Sequence, residues 1–81
     1  MQALVYVTLK KTVLDPQGRT ISSKLNGLGH NSILDVRQGK FFEIELDQAL
    51  TAEQARGQVE AIAREVLANP VIEEFRVEIR G

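Results

Sequence analysis

TAEQARGQVEAIAREVLANP, residues Thr51 to Pro70, is the stretch that decides the fold. Thr51 and Gln54 stand three apart, the spacing at which each side chain satisfies a free backbone N–H beside the other. Ala55, Val59, Ile62 and Val66 follow at helical spacing and make one apolar stripe. Asn69 and Pro70 end it, because asparagine accepts the left-handed closing conformation and proline cannot continue the hydrogen-bond ladder. A helix with one apolar stripe needs a surface to lie on, and the chain supplies strands on both sides of it.

After the helix, Val71 to Arg80 alternates with period two. Val71, Phe75, Val77 and Ile79 point one way, and Glu74, Arg76, Glu78 and Arg80 the other. Before it, Phe41 to Leu46 places Phe42, Ile44 and Leu46 on one face. Ser32 to Gln38 reads as a further strand, with Leu34 and Val36 sharing a face. Gly39, between Gln38 and Lys40, marks a hairpin turn between those two strands, since glycine takes a positive φ at little steric cost. At the start of the chain, Ala3 to Lys11 alternates Ala3, Val5, Val7 and Leu9 against Leu4, Tyr6, Thr8 and Lys10. The segment between opens a helix at Asp15, a capping acceptor, with Pro16 at the first helical position. Ile21, Leu25 and Leu28 recur at helical spacing. Gly18, Ser22, Ser23, Asn26 and Gly27 are poor helix formers, so this helix depends on packing. Gly29 is its natural stop.

The order βαββαβ predicts an α+β, two-layer, ferredoxin-like domain across residues 1–81. Its expected sheet is four-stranded and antiparallel, in the order 4-1-3-2, with both helices on one face. The other face is left without cover from this chain, and function or association belongs there.

Composition narrows the function. The 81 residues carry no cysteine and one histidine, His30, so neither thiolate ligation nor a histidine cluster is available. A formal net charge of −1 provides no basic footprint for nucleic acid or an anionic membrane. The first residues enter a strand pattern directly and no long apolar run occurs, which points to a cytoplasmic protein with no membrane partner. No serine or cysteine stands in a nucleophile–base arrangement. Gly27-Leu28-Gly29 follows a helix rather than opening one, so its dipole is wrongly directed for phosphate. Glu43 and Glu45 share a strand face, without an apolar pocket to tune them for acid–base work.

The open face admits two readings. Tyr6 and Phe41, on its central strands, could stack single-stranded RNA bases. Asp35, Glu43, Glu45, Glu74 and Glu78 oppose that against only Lys10, Arg37, Arg76 and Arg80. Aromatic residues interleaved with both signs of charge suit a protein interface better. An amino-acid-sensing module of the ACT type shares the element order, but its usual glycine at the first strand-to-helix turn is matched poorly by Gly18.

Four segments, Val5-Tyr6-Val7-Thr8-Leu9-Lys10, Leu14-Asp15-Pro16-Gln17-Gly18, Asp35-Val36-Arg37-Gln38-Gly39-Lys40 and Leu67-Ala68-Asn69-Pro70-Val71-Ile72-Glu73, resemble the PurS family. This family is the small subunit of phosphoribosylformylglycinamidine synthase. The resemblance implies a non-catalytic part of a glutamine-dependent C–N ligase in purine biosynthesis. It implies a homo-oligomer, dimer or tetramer, that helps hold a glutaminase subunit to a large synthetase subunit so that ammonia passes between them. It implies no cofactor here, with ATP and magnesium held by the synthetase. Tyr6, Arg37, Lys40, Phe41, Asn69 and Pro70 are then the candidate subunit contacts. Asp15, Pro16, Gly18 and Gly39 are assigned to cap and turn geometry.

Overall fold

The computed structural model describes residues 1–81. The chain forms β1 (Gln2–Leu9), α1 (Pro16–Gly27), β2 (Gly39–Glu45), α2 (Ala52–Ile62) and β3 (Glu73–Arg80). It is an α+β fold with a three-stranded antiparallel sheet in the order β2-β1-β3. These three strands sit as the expected order places them, with the N-terminal strand in the middle.

The fourth strand is absent. Residues 33–38 run without ladder partners, and Leu34 is 92% exposed. Their polar groups turn back to the loop after β1 instead. The Gln38 N–H donates to Asp15 Oδ2 at 2.7 Å, and Arg37 Nη2 donates to the carbonyls of Lys10 and Val13 at 3.0 and 2.9 Å. Gly39 is therefore not a hairpin turn: it is the first residue of β2, paired with Thr8, and its φ is not positive. Glycine is required there for closeness, because a Cβ would collide with the Val7 carbonyl oxygen.

Alternation on β1 sorts the core. Ala3, Val5 and Val7 are fully buried under α2, flanked in register by Ile44 and Ile79, then Phe42 and Val77, then Lys40 and Phe75. α2 answers with Ala55 and Val59, and the turn that follows it with Ala63, all fully buried. The largest fully buried side chains are Val5, Val7 and Val59. Each contributes about 1.5–2 kcal/mol by leaving water, so the core is thin.

The helix predicted over 51–68 is real but changes pitch. Thr51 and Gln54 close the capping box in both directions, at 3.1 and 3.0 Å. From Ala63 to Leu67 the chain makes a π-helical turn, with the Ala68 N–H reaching back to the Ala63 carbonyl at 2.8 Å. A π turn accommodates one extra residue and rotates everything after it. Val66, expected on the apolar stripe, is consequently 74% exposed, and Ala63 and Leu67 face the sheet instead. Asn69 is not left-handed. It closes the corner with its side chain, Oδ1 accepting from the Val71 N–H at 3.1 Å.

α1 begins and ends as expected. Asp15 Oδ1 accepts from the Gly18 N–H at 2.9 Å and Pro16 sits in the first turn. Gly29 takes φ 95°, while the Gly29 and His30 N–H groups bond the Asn26 and Leu25 carbonyls. That is the Schellman pattern of closure. The helix does not, however, join α2 on the sheet. The fold extends 51 × 26 × 14 Å, and its radius of gyration is 16.1 Å. A chain of this length folded into a ball would have about 12 Å. The difference is α1 and the segment after it, projecting with Leu14 73%, Ile21 39% and Leu28 73% exposed. The expectation of two helices on one face thus holds for α2 only, because Ile21 and Leu28 find no apolar surface within this chain.

Candidate functional site

The motif segments converge on one corner. Val7 and Leu9 from β1, Asp15 and Gln17 from the start of α1, Gln38, Gly39 and Lys40 at the start of β2, and Glu73 at the start of β3 line a cleft of about 180 Å³. Asp15 organises it. The side chain is buried, and its two oxygens accept from the N–H groups of Gln38 and Gly18. Those bonds, the Gln38 one first, hold its carboxyl below the usual carboxylate range, with help from the nearby Arg37 guanidinium and against the effect of burial.

Because the folded form binds its proton more weakly than the unfolded chain, Asp15 stabilises the fold above its unfolded pKa, about 3.9. That contribution is lost as pH falls through the lower folded value. An Asp15→Asn variant is expected to be less stable than wild type at pH 6 and to show a flatter loss of stability between about pH 5 and 2. Urea midpoints measured across that range check this. Parallel acid limbs in the two proteins would remove Asp15 from the account.

Gly18 belongs to the same corner: a Cβ there would collide with the Val36 carbonyl oxygen. The glycine that an amino-acid sensor would leave open to a ligand is here closed by the chain itself. Asp15, Pro16, Gly18 and Gly39 thus occupy positions set by capping and close packing.

The candidate contact residues divide between this corner and the open face. Arg37 is turned inward onto the Lys10 and Val13 carbonyls and clips the loop. Lys40 is the second residue of β2, not a hairpin tip; it lies on the α2 side of the sheet and pairs with Glu73 at 3.5 Å. Glu73 also accepts from the Asn69 N–H at 2.8 Å, so Lys40 and Asn69 are joined through it. Pro70 beside them is exposed.

Tyr6 and Phe41 lie on the opposite face. They are direct cross-strand partners, with ring centroids 5.1 Å apart. Sequence reasoning missed two features here. Arg76, the partner of Tyr6 on β3, lies 4.3 Å from the Tyr6 ring centroid. Val66 and Val71, expected on buried faces, are exposed, and the π turn that carries Val66 leaves no mark in residue spacing. With residues 33–38 off the sheet, Asp35 and Arg37 leave the open face.

Comparison with known proteins agrees with this architecture. The family model PurS, described as phosphoribosylformylglycinamidine (FGAM) synthase, matches residues 2–81. The phosphoribosylformylglycinamidine synthase subunit PurS of Mycobacterium leprae is 43% identical over 76 residues, covering 94% of this chain and 91% of that protein. The crystal structure of Methanocaldococcus jannaschii PurS, one of the subunits of formylglycinamide ribonucleotide amidotransferase, superposes with a TM-score of 0.87 at 37% identity. It covers 98% of this chain and 94% of that one. A chain in the structure of PurLQS from Thermotoga maritima superposes with a TM-score of 0.86 at 31% identity, covering 95% and 93%. Matched along nearly its whole length in sequence and in fold, the chain belongs to the PurS family of phosphoribosylformylglycinamidine synthase.

Proposed function

We propose that this chain is the non-catalytic small subunit of a three-part FGAM synthase, holding the glutaminase against the ATP- and magnesium-binding synthetase in the cytoplasm. The observation that carries the reading is its likeness, over 95% of its length, to a chain of the PurLQS assembly. The chemistry of the chain suits such a role. Its one buried ionisable side chain, Asp15, has its oxygens committed to backbone N–H groups, and its exposed residues are the aromatic, aliphatic and charged mixture of a partly polar interface. Holding two active sites in register raises the effective concentration of ammonia passed between them.

The same reading makes the chain a homo-oligomer. Leu14, Ile21, Leu28 and Leu34 are exposed on the projecting arm and the segment after it, uncovered by the sheet, and a second copy is the occupant that would cover them. Among the candidate contacts, Pro70 at the corner and Phe41 on the open face are exposed and free to meet partners, and Lys40 keeps its half-exposed ammonium beside Glu73. Tyr6 acts through the Phe41 ring it supports. Arg37 and Asn69 act by shaping the segments that carry them.

Reconstitution tests this. Purified synthetase and glutaminase are expected to form glutamine-dependent product efficiently only when this protein is added; full activity in its absence overturns the proposal. Lys40→Gln, which removes the charge without setting a second carboxylate beside the mostly buried Glu73, is expected to weaken assembly about fivefold while leaving the fold intact. Circular dichroism and a titration of the complex read the two effects separately.

A further inference from the structure

The face of the sheet away from α2 is built in transverse rows. Phe41, Tyr6 and Arg76 form one row, Glu43, Leu4 and Glu78 the next, and Glu45, Gln2 and Arg80 the last. Tyr6 is fully engaged: Phe41 packs on one side, the Arg76 guanidinium on the other, and its hydroxyl donates to Glu78 Oε2 at 3.4 Å. Phe41 is not, and stays 51% exposed.

The charges on this face are unevenly matched. Arg76 lies over the Tyr6 ring and Arg80 sits 3.5 Å from Glu78. Glu43 and Glu45 meet only the Gln2 amide, at 3.3 and 3.4 Å, and no cation. Lys10 lies just past the end of β1, at the far end of the face from them. The β2 side therefore presents an exposed aromatic ring with two uncompensated carboxylates beside it.

We propose that this face docks a basic, arginine-bearing surface of a different subunit, and not a second copy of this chain; the proposal rests on the assembly role set out above. An arginine is the side chain that uses both features. Its guanidinium stacks on the open ring of Phe41 and its donor fork fits the carboxylate of Glu43 two residues on. A second copy laid against the face would bring the same surplus of carboxylates. Burying both surpluses without cations costs more than the apolar centre returns. The copy is served by the apolar arm of α1, so the two kinds of contact fall on separate surfaces.

The test uses the whole chain with purified synthetase and glutaminase. Binding is measured at low and high salt, and homo-oligomer mass by light scattering. The E43K/E45K double variant is expected to bind its companions at least about tenfold more weakly and to lose most of the salt dependence of wild type. Phe41→Ala is expected to weaken binding about tenfold. Both should keep the wild-type oligomer mass and circular dichroism. Wild-type affinity in both variants overturns the proposal. So does a loss of oligomer mass, which would make the face a contact between copies, or displacement of the companions by single-stranded RNA. A wild-type chain that binds neither companion overturns the assembly reading itself, whereas wild-type binding with unaffected variants overturns only this assignment.

Discussion

The Gly39→Ala variant will lose about 3 kcal/mol of folding stability, although alanine is the smallest change available. The added Cβ has no free space. It meets the Val7 carbonyl oxygen, and Thr8 Cγ2 at 2.8 Å. Val7 lies in the central strand, bonded to β2 on one side and β3 on the other, so it cannot retreat without opening a ladder. Gly57 is the control. It sits within α2, where an added Cβ would have nothing within 4 Å, so Gly57→Ala should stabilise by about 0.5–1 kcal/mol through helix propensity alone. Urea unfolding of the three proteins, with unchanged slopes, reads both signs. A Gly39→Ala protein as stable as wild type would show that β2 does not approach β1 as described.

The second large effect separates two valines that the residue spacing treats alike. Val59→Ala is expected to cost about 2–3 kcal/mol, from lost burial and the cavity left between α2 and β1. Val66→Ala should stay within about 0.5 kcal/mol, because the π turn has carried its side chain into solvent. Equal costs at the two positions would mean that the helix continues at α-helical pitch past Ala63.

Those two valines show where residue patterns carry structural information and where they stop. Period-two alternation suffices for β1, β2 and β3, because each turns one face to the same core cluster and a slip of one residue would invert it. Caps at Asp15 and Thr51 and the closure at Gly29 are legible because each rests on a local hydrogen bond. The π turn is not, since it changes no residue type and only rotates the face. The expected fourth strand fails although Leu34 and Val36 do alternate; what keeps them out of the sheet is a pair of long-range tethers, from Asp15 and Arg37, to the loop after β1. Parity alone places Tyr6 and Phe41 on the correct face, but the position of Arg76 over the ring requires the register of β3 against β1. Lys40 reads as a turn residue only because Gly39 reads as a turn.

The projecting arm of α1 has a consequence for how much of this protein a cell can keep. A copy without neighbours leaves Leu14, Ile21, Leu28 and Leu34 wet and is held together by a core with no side chain larger than valine fully enclosed. If a second copy covers the arm as proposed above, association stabilises by mass action, and a copy alone opens more often and is the first to meet proteases. On that reading, folding itself would limit how much unassembled protein accumulates.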